Sequence, residues 1–499
     1  MNTDSEELKK PRVSVIEDVE KHGPVPHIEE DLDSQAELPD AVDEATIVHK
    51  IDKHVIPVLC LLYLLAFLDR VNISNAAVFG LTEDLHLVGD QYNNALVVFF
   101  VPYVLFEIPS NALLKYFRPH IWLSVCMFFF GLVSICQGLV RNYSGLVACR
   151  FFLGLAESGV FPACFYLIAM WYKRAEAQKR YTFFFCSVTL AGAFGGLLAS
   201  AIGKMDGMRG YRGWRWIFIL EGVATCVISL LLSFAISDFP EEATWLTAAE
   251  KKFVKDRLKA DVGESRRHDP LTIRGILSVF KDYKIIVGGF MYFGIIVPAY
   301  GYAYFAPSII ATLGHGAIRT QLLSVPPWAC SFVLAMTVAV ASDHFRHRFL
   351  FVLIPTAIGL AGFIILLVVH DNTHLQYAAL FLASTGTYSA MPMMICWFNT
   401  NLAGHRRRAV GTAWQIGFGN IGGIIAVYAF LAKDAPDYIS GYTLCVVFIC
   451  LSALADVIYF LGVLLENQRR DRALVKGTVM LTDNEKAEMG DLNPDYRIR

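Results

Sequence analysis

Twelve apolar runs alternate with short polar stretches along the chain, near 55–76, 92–114, 119–139, 143–171, 181–203 and 214–236, then near 284–312, 320–342, 349–370, 374–402, 409–432 and 441–465. Each is long enough to cross a bilayer as a helix, which takes roughly 20 mostly apolar residues. The pattern predicts an all-α membrane protein of twelve transmembrane helices in two six-helix halves, 51–236 and 284–465. A polar segment, 237–283, separates the halves. Within it Thr247-Ala-Ala-Glu250 has the form of a capping box that opens a short amphipathic surface helix.

Composition agrees. Of 499 residues 55% are hydrophobic and 18% charged, whereas a soluble domain carries about a quarter charged residues. Residues 1–50 are polar and acid-rich, without the apolar core of a signal peptide near Met1, and are expected to form a disordered cytosolic tail, with a second tail at 466–499. Basic residues set the expected orientation, since short cytosolic loops are rich in Lys and Arg. Loops holding Lys115 and Arg118, then Lys173, Arg174, Lys179 and Arg180, then Arg346 and Arg348, then Arg406, Arg407 and Arg408 all fall on one side with the termini. The outer loop "GKMDGMRGYRGWRW" breaks the rule with Lys204, Arg209, Arg212 and Arg215. The overall bias still places both termini in the cytosol.

All eleven cysteines lie in predicted spans, from Cys60 to Cys450, and read as small apolar residues rather than a disulfide framework. Asn142-Tyr143-Ser144 has the glycosylation pattern, in an outer loop too short and too near the bilayer to favour its use. The net charge of −2 adds nothing about partners, and no nucleic acid is expected. Nor is a cofactor or metal: no nucleophile–base pair, metal-ligand spacing or phosphate-cradling loop stands out, so an enzyme is disfavoured.

The halves share an echo. "GAFGG", Gly192 to Gly196, and "GNIGG", Gly419 to Gly423, both lie in the fifth span of their half, and Gly195 and Gly422 each stand fifteen residues after an arginine, Arg180 and Arg407. Small residues let helices approach closely. Equivalent placement suggests a duplicated six-helix unit, as in the major facilitator architecture.

Against this background "LLYLLAFLDRVNISNA" is unusual, because it places Asp69, Arg70, Asn72 and Asn75 inside the first span. An ionised side chain at the centre of a membrane helix costs about 2.5–3.5 kcal/mol on insertion scales, so each must face a cavity or a partner. Asp69 lies roughly 21 Å up the first span, and Arg150 shares its depth in the fourth, counted at 1.5 Å per residue. An Asp69–Arg150 salt bridge is expected. Glu157, seven residues beyond Arg150, shares its helix face, with Gly154 between them leaving space. Burial favours the neutral form of a carboxyl, which suits Glu157 to take up and release protons. Arg70, about 100° around the helix from Asp69, would be left free to hold an anion with its guanidinium fork. A purely structural role for these charges is the alternative.

"FLDRVNISNA", "EIPSNALLKYFRP", "RFFLGLAESGVFPACFYLIAMWYKRAEAQKR", "GWRWIFILEG" and "RRRAVGTAWQIGFGNIGGIIA" together resemble the fungal allantoate permease family of the major facilitator superfamily, part of the anion:cation symporters, over about 52–465. That family includes carriers for nicotinate, pantothenate, biotin and allantoate. The resemblance implies proton sites at Asp69 and Glu157, a carboxylate clamp at Arg70, and Arg150 as partner of Asp69. The loop "SNALLKYFRPH" departs from the usual Gly- and Asp-rich facilitator pattern, whereas "SDHFRHR", with Asp343, keeps it better.

Further candidates are Asn72, Tyr300, Tyr304 and Asn420 for substrate, and Glu107, Asn111 and Asp343 for gating. Pro298 and Pro307 around "AYGYAYFA" suggest a broken seventh span. Trp397 and Asn399 read better as packing. The function expected is proton-coupled uptake of a small monocarboxylate, nicotinate first, by an alternating-access carrier in a fungal plasma membrane, working as a monomer. An exporter or uniporter and a non-transporting nutrient receptor are the alternatives.

Overall fold

The computed structural model describes residues 43–114, 117–262, 277–345, 347–402 and 405–475. Residues 1–42, most of the expected N-terminal tail, and 476–499, most of the C-terminal one, lie outside that set, as does 263–276 of the linker. The described chain is helical. The first half comprises α1 (Glu44–Val78), the short α2 (Leu81–Asp84), α3 (Gln91–Leu113), α4 (Pro119–Gly138), α5 (Tyr143–Glu157), α6 (Val160–Trp171), α7 (Arg174–Ile202) and α8 (Gly213–Ala235). After α9 (Ala248–Val262) the second half follows as α10 (Tyr283–Thr312), α11 (Ala317–Phe345), α12 (Arg348–Val368), α13 (Thr373–Thr400), α14 (His405–Ala429) and α15 (Ile439–Val475). Among the described residues, 11 helices or helix pairs are long and apolar enough to cross a membrane, with α5 and α6 together forming one. The 23-residue α3 stands in place of the remaining predicted span.

Two breaks differ from expectation. The seventh span, α10, is continuous despite Pro298 and Pro307. A proline removes the hydrogen bond to the carbonyl four residues earlier, and the carbonyl freed by Pro307, that of Ala303, accepts from Ser74 Oγ at 3.4 Å. Pro327 is compensated in the same way, as Tyr377 Oη donates to Leu323 O at 2.9 Å. The fourth span is the broken one, divided at Ser158–Gly159 between α5 and α6. There a Cβ on Gly159 would sit 2.2 Å from Ser110 Oγ and 2.8 Å from Trp122 Nε1, so the kink brings three helices together where only glycine fits.

At the face where α1 begins, here the near face, α1 runs well beyond its apolar stretch. Asp43 caps it by accepting from the Ala45 and Thr46 amides, and ion pairs hold its first turns: Lys50 to Glu250 at 2.9 Å, Asp52 to Arg180 at 2.6 Å, and Glu44 to Lys173 at 2.5 Å. The predicted capping box is present, since Thr247 N donates to Glu250 Oε2 at 2.7 Å and Glu250 N to Thr247 Oγ1 at 3.3 Å. That amide, with Lys50 beside it, holds the Glu250 carboxyl below the usual range. On the opposite, far face, Asp84 answers the anomalous basic loop. It accepts from Arg215 Nη2 at 2.9 Å and Trp214 Nε1 at 3.0 Å, with Arg212 Nε at 3.6 Å. Asn142 is engaged as the cap of α5, accepting from Gly145 N at 2.8 Å.

The halves meet in a symmetric way. α7 packs on α11, α3 on α14 and α1 on α10; numbered as spans these are five with eight, two with eleven and one with seven, a set that maps onto itself when six is added to each. The glycine echo marks these seams. A Cβ on Gly196 would sit 2.6 Å from Ser324 Oγ and 2.9 Å from Gln321 O of α11, and one on Gly423 would sit 2.4 Å from the Phe100 ring of α3. Nearby, Asn93 Nδ2 donates to Val427 O at 2.7 Å and Tyr428 Oη to Asn94 Oδ1 at 2.6 Å. These contacts seal the far face.

Overpacking costs about 1–3 kcal/mol, so Gly196→Val and Gly423→Val should each open the far-face seam. The expected outcome is faster labelling of a far-face reporter cysteine, by about fivefold or more, with surface abundance unchanged. Unchanged labelling would show that the glycines do not form the seal.

Candidate functional site

The centre of the molecule is organised around Arg70, whose side chain is 3% exposed. Its Nε donates to Glu157 Oε1 at 3.0 Å and its Nη2 reaches the same oxygen, while Nη1 donates to Tyr300 Oη at 2.7 Å. Tyr300 in turn donates to Asn420 Oδ1 at 3.3 Å. The chain Glu157, Arg70, Tyr300, Asn420 therefore runs from α5 through α1 into α10 and α14, across both halves. The guanidinium also lies over Tyr103 at 4.8 Å and Phe99 at 5.1 Å, a placement that suits a cation.

A narrow cleft begins at this group. Its walls are close together and mainly aromatic, with Tyr63, Phe67, Tyr103, Tyr292 and Tyr388 among them, and its polar lining includes Arg70, Tyr300 and Asn420. Tyr63 and Phe67 precede Arg70 on α1, so the cleft lies on the near-face side of the guanidinium, below the far-face seal. A single charge and a few convergent polar groups in an otherwise apolar pocket describe a small-molecule site.

The expected pairing of Asp69 with Arg150 does not form. Asp69, 1% exposed, accepts from Ser134 Oγ at 3.3 Å and Thr225 Oγ1 at 3.2 Å. Arg150 instead places both Nη atoms 3.4 Å from the Arg70 carbonyl, with its guanidinium 5.2 Å from the Phe99 ring. Equal depth does not fix azimuth: the turn of the helix that sends Arg70 toward α5 and the cleft points Asp69 toward α4 and α8. Arg70 is correspondingly not free, because Glu157 holds it.

Asn72 is also turned from the cleft. It donates to Glu221 Oε2 on α8 and accepts from Asn75 Nδ2 at 3.3 Å. Tyr304 is fully buried behind Tyr300, ring centroids 5.8 Å apart, and does not line the cleft. Glu107 faces the other half near the cleft's near-face end, with Oε2 4.0 Å from where a Cβ on Gly417 would sit. Asp343 lies 3.8 Å from Lys179 of the first half. The backbone of Asn111 belongs to α3, but its side chain lies outside the described residues. Trp397 packs against Tyr459 and Phe349, and Asn399 bonds the Ile395 carbonyl at 2.9 Å.

Two buried acids escaped sequence reading. Glu221 sits in "FILEG" on α8, and Asp456 on α15 is fully buried with no donor at either oxygen among the described residues. Each is a lone acid in an apolar run, and that isolation was the available signal.

The family profile described as Major Facilitator Superfamily matches residues 59–427. The chain belongs to that superfamily. It is a multi-pass membrane transporter, similar to fungal proteins of this type: 34% identical over 432 residues to MFS transporter prlL of a fungal species (strain NRRL 50135), covering 85% of this chain and 86% of that one. It is 31% identical to the major facilitator-type transporter hxnP of Emericella nidulans, covering 90% and 93%. Its fold resembles that of a bacterial homologue of the human lysosomal transporter Spinster in an inward-facing, unoccupied conformation, with TM-score 0.58 and 16% identity, over 82% of this chain and 96% of that one.

Removing the hydroxyl that bridges the halves, with Tyr300→Phe, deletes a hydrogen bond to a charged group worth about 1.5–3 kcal/mol. The thermal unfolding midpoint of the purified transporter should fall. Tyr304→Phe, which removes a hydroxyl with no partner, should leave it unchanged or raise it; equal losses in both would contradict the bridge.

Proposed function

We propose that this transporter imports a small organic monocarboxylate together with protons, by alternating access, through the cleft beside Arg70. The supporting observation is that one carboxylate, Glu157, already occupies the guanidinium that a carboxylate substrate would need. A bare guanidinium in the membrane is costly, so Glu157 in its charged form competes with the substrate for the same donors. Protonation of Glu157 withdraws that competitor and leaves Nε and Nη2 free for a substrate carboxylate, which the fork can grip bidentately. Proton and anion then favour each other's binding, and linkage makes the effect reciprocal.

Tyr300 and Asn420 extend the site into the second half. An anion bound at Arg70 touches the same network as both halves, so its arrival can alter how they pack. The narrow aromatic walls suit a flat ring, which makes nicotinate the first candidate, ahead of pantothenate, allantoate and biotin. In this reading the near face is cytosolic, the membrane is the plasma membrane, and Glu107 and the Lys179–Asp343 pair belong to the cytosolic gate. The chain works as a carrier and performs no chemistry on its cargo.

Uptake of the four labelled acids into yeast lacking its own carriers, in acidic and mildly alkaline medium and with or without a protonophore, tests the reading. Protonophore-sensitive accumulation of one acid, greater in acid, is expected. Surface-expressed protein that accumulates none of them would count against it. Glu157→Gln should abolish proton-driven accumulation while counterflow exchange persists, whereas loss of both would assign the residue a role in binding or folding. Arg70→Lys, lacking the fork, should weaken apparent affinity by about 10- to 100-fold, the equivalent of ~1.5–3 kcal/mol for a charge-assisted pair.

A further inference from the structure

Five of the residues lining the cleft are tyrosines, and their hydroxyls divide into two groups. Two are engaged by the protein: Tyr300 Oη stands between Arg70 and Asn420, and Tyr388 Oη donates to Ala299 O at 2.8 Å. The hydroxyls of Tyr63, Tyr103 and Tyr292 have no hydrogen-bond partner among the described residues, although the three residues are only 6%, 2% and 3% exposed. Nor are these hydroxyls walled in, as that of Tyr304 is. What exposure they keep is to the cleft that they line.

A buried phenol O–H without an acceptor is costly, and phenylalanine would supply the same apolar wall without that cost. Packing therefore accounts for the rings but not for the hydroxyls. Tyr103 lies with its ring against the guanidinium and belongs to the charged end of the cleft. Tyr63 and Tyr292 remain, one from each half. Tyr63 precedes Arg70 by seven residues on α1, and Tyr292 precedes Tyr300 by eight on α10. Both helices run from the near face to the far face, so the two side chains start roughly 10–12 Å nearer the near face than the Arg70–Tyr300 bond. The hydroxyls are within electrostatic reach of each other and of the guanidinium, so one small molecule can touch both ends. Each ring is also fixed in place. Tyr63 stacks on Phe184 with centroids 4.6 Å apart, and Tyr292 lies so close over Gly419 that a Cβ there would overlap it. Donors held in this way lose little freedom when a ligand arrives.

We infer that Tyr63 and Tyr292 form a neutral, hydrogen-bond-donating subsite opposite Arg70, and that the cargo is a heteroaromatic carboxylate whose ring acceptor these hydroxyls bind. The carboxylate in this inference rests on the transport reading above, whereas the donor pair does not. An aromatic acid of the same shape but without the ring acceptor would leave both donors unpaired in an apolar site. A site built to hydrogen-bond a ligand atom rejects the analogue that lacks it.

Equilibrium binding of four probes to the purified full-length transporter at neutral pH tests this: nicotinate, benzoate, nicotinamide and benzamide. Nicotinate should bind about tenfold or more tightly than benzoate. That ratio should fall toward one in Tyr63→Phe and in Tyr292→Phe, and persist in Tyr304→Phe, which removes a hydroxyl outside the cleft. If one of the first two variants fails to fold, the other still decides. Equal binding of the two acids, or a preference that survives the loss of either hydroxyl, would overturn the subsite and leave the carboxylate reading standing. A preference for nicotinamide over benzamide that depends on both tyrosines, with neither acid bound, would remove the carboxylate reading and keep the subsite. Binding of none of the four would overturn the inference.

Discussion

A guanidinium at the centre of a membrane protein must be satisfied in every state, and Arg70 imposes that requirement on the rest of this structure. Glu157 meets it from α5, Tyr300 from α10, and the faces of Tyr103 and Phe99 from α3. The helices that supply these groups belong to both halves. Whatever occupies Arg70 is therefore felt by the contact between the halves, which is the contact an alternating-access carrier has to remake.

The remaining architecture makes such remaking possible. The far-face seal consists of glycine-mediated helix approaches and neutral hydrogen bonds, at Gly196 against α11 and Gly423 against α3. Contacts of this kind break without exposing a charge. Charges are kept either inside one half, as with Asp69 and Glu221, or at the aqueous rim, as with Lys179 and Asp343. Arg70 and Glu107 are the exceptions, both lying in the first half: Arg70 reaches the second through Tyr300, and Glu107 faces Gly417 across the seam.

Much of this was legible in the sequence because membrane insertion leaves strong traces. Twelve long apolar runs, the paired glycine motifs and the cluster of Asp69, Arg70 and Glu157 all stand out against a background from which charge is nearly excluded. What could not be read was azimuth. Depth along a helix follows from counting, but whether Asp69 or Arg70 faces α5 depends on a rotation set by packing across several helices, and the assignment of Arg150 to Asp69 failed for that reason. The proline argument failed similarly: Pro307 breaks a hydrogen bond, yet Ser74, more than 200 residues away in sequence, answers the freed carbonyl. The real kink is at Gly159, whose constraint comes from Ser110 and Trp122 on other helices and so leaves no local pattern.

The central claim is that the Glu157 carboxylate and the substrate carboxylate compete for one guanidinium, so that a proton on Glu157 favours the anion. Calorimetric titration of the purified transporter with its monocarboxylate, repeated in buffers of different ionisation enthalpy, measures the protons exchanged on binding. The account predicts net proton uptake approaching about one per anion at a pH where Glu157 is ionised, as linkage requires, and loss of that uptake in Glu157→Gln. Anion binding without proton uptake in the wild type, and with an affinity independent of pH, would contradict it.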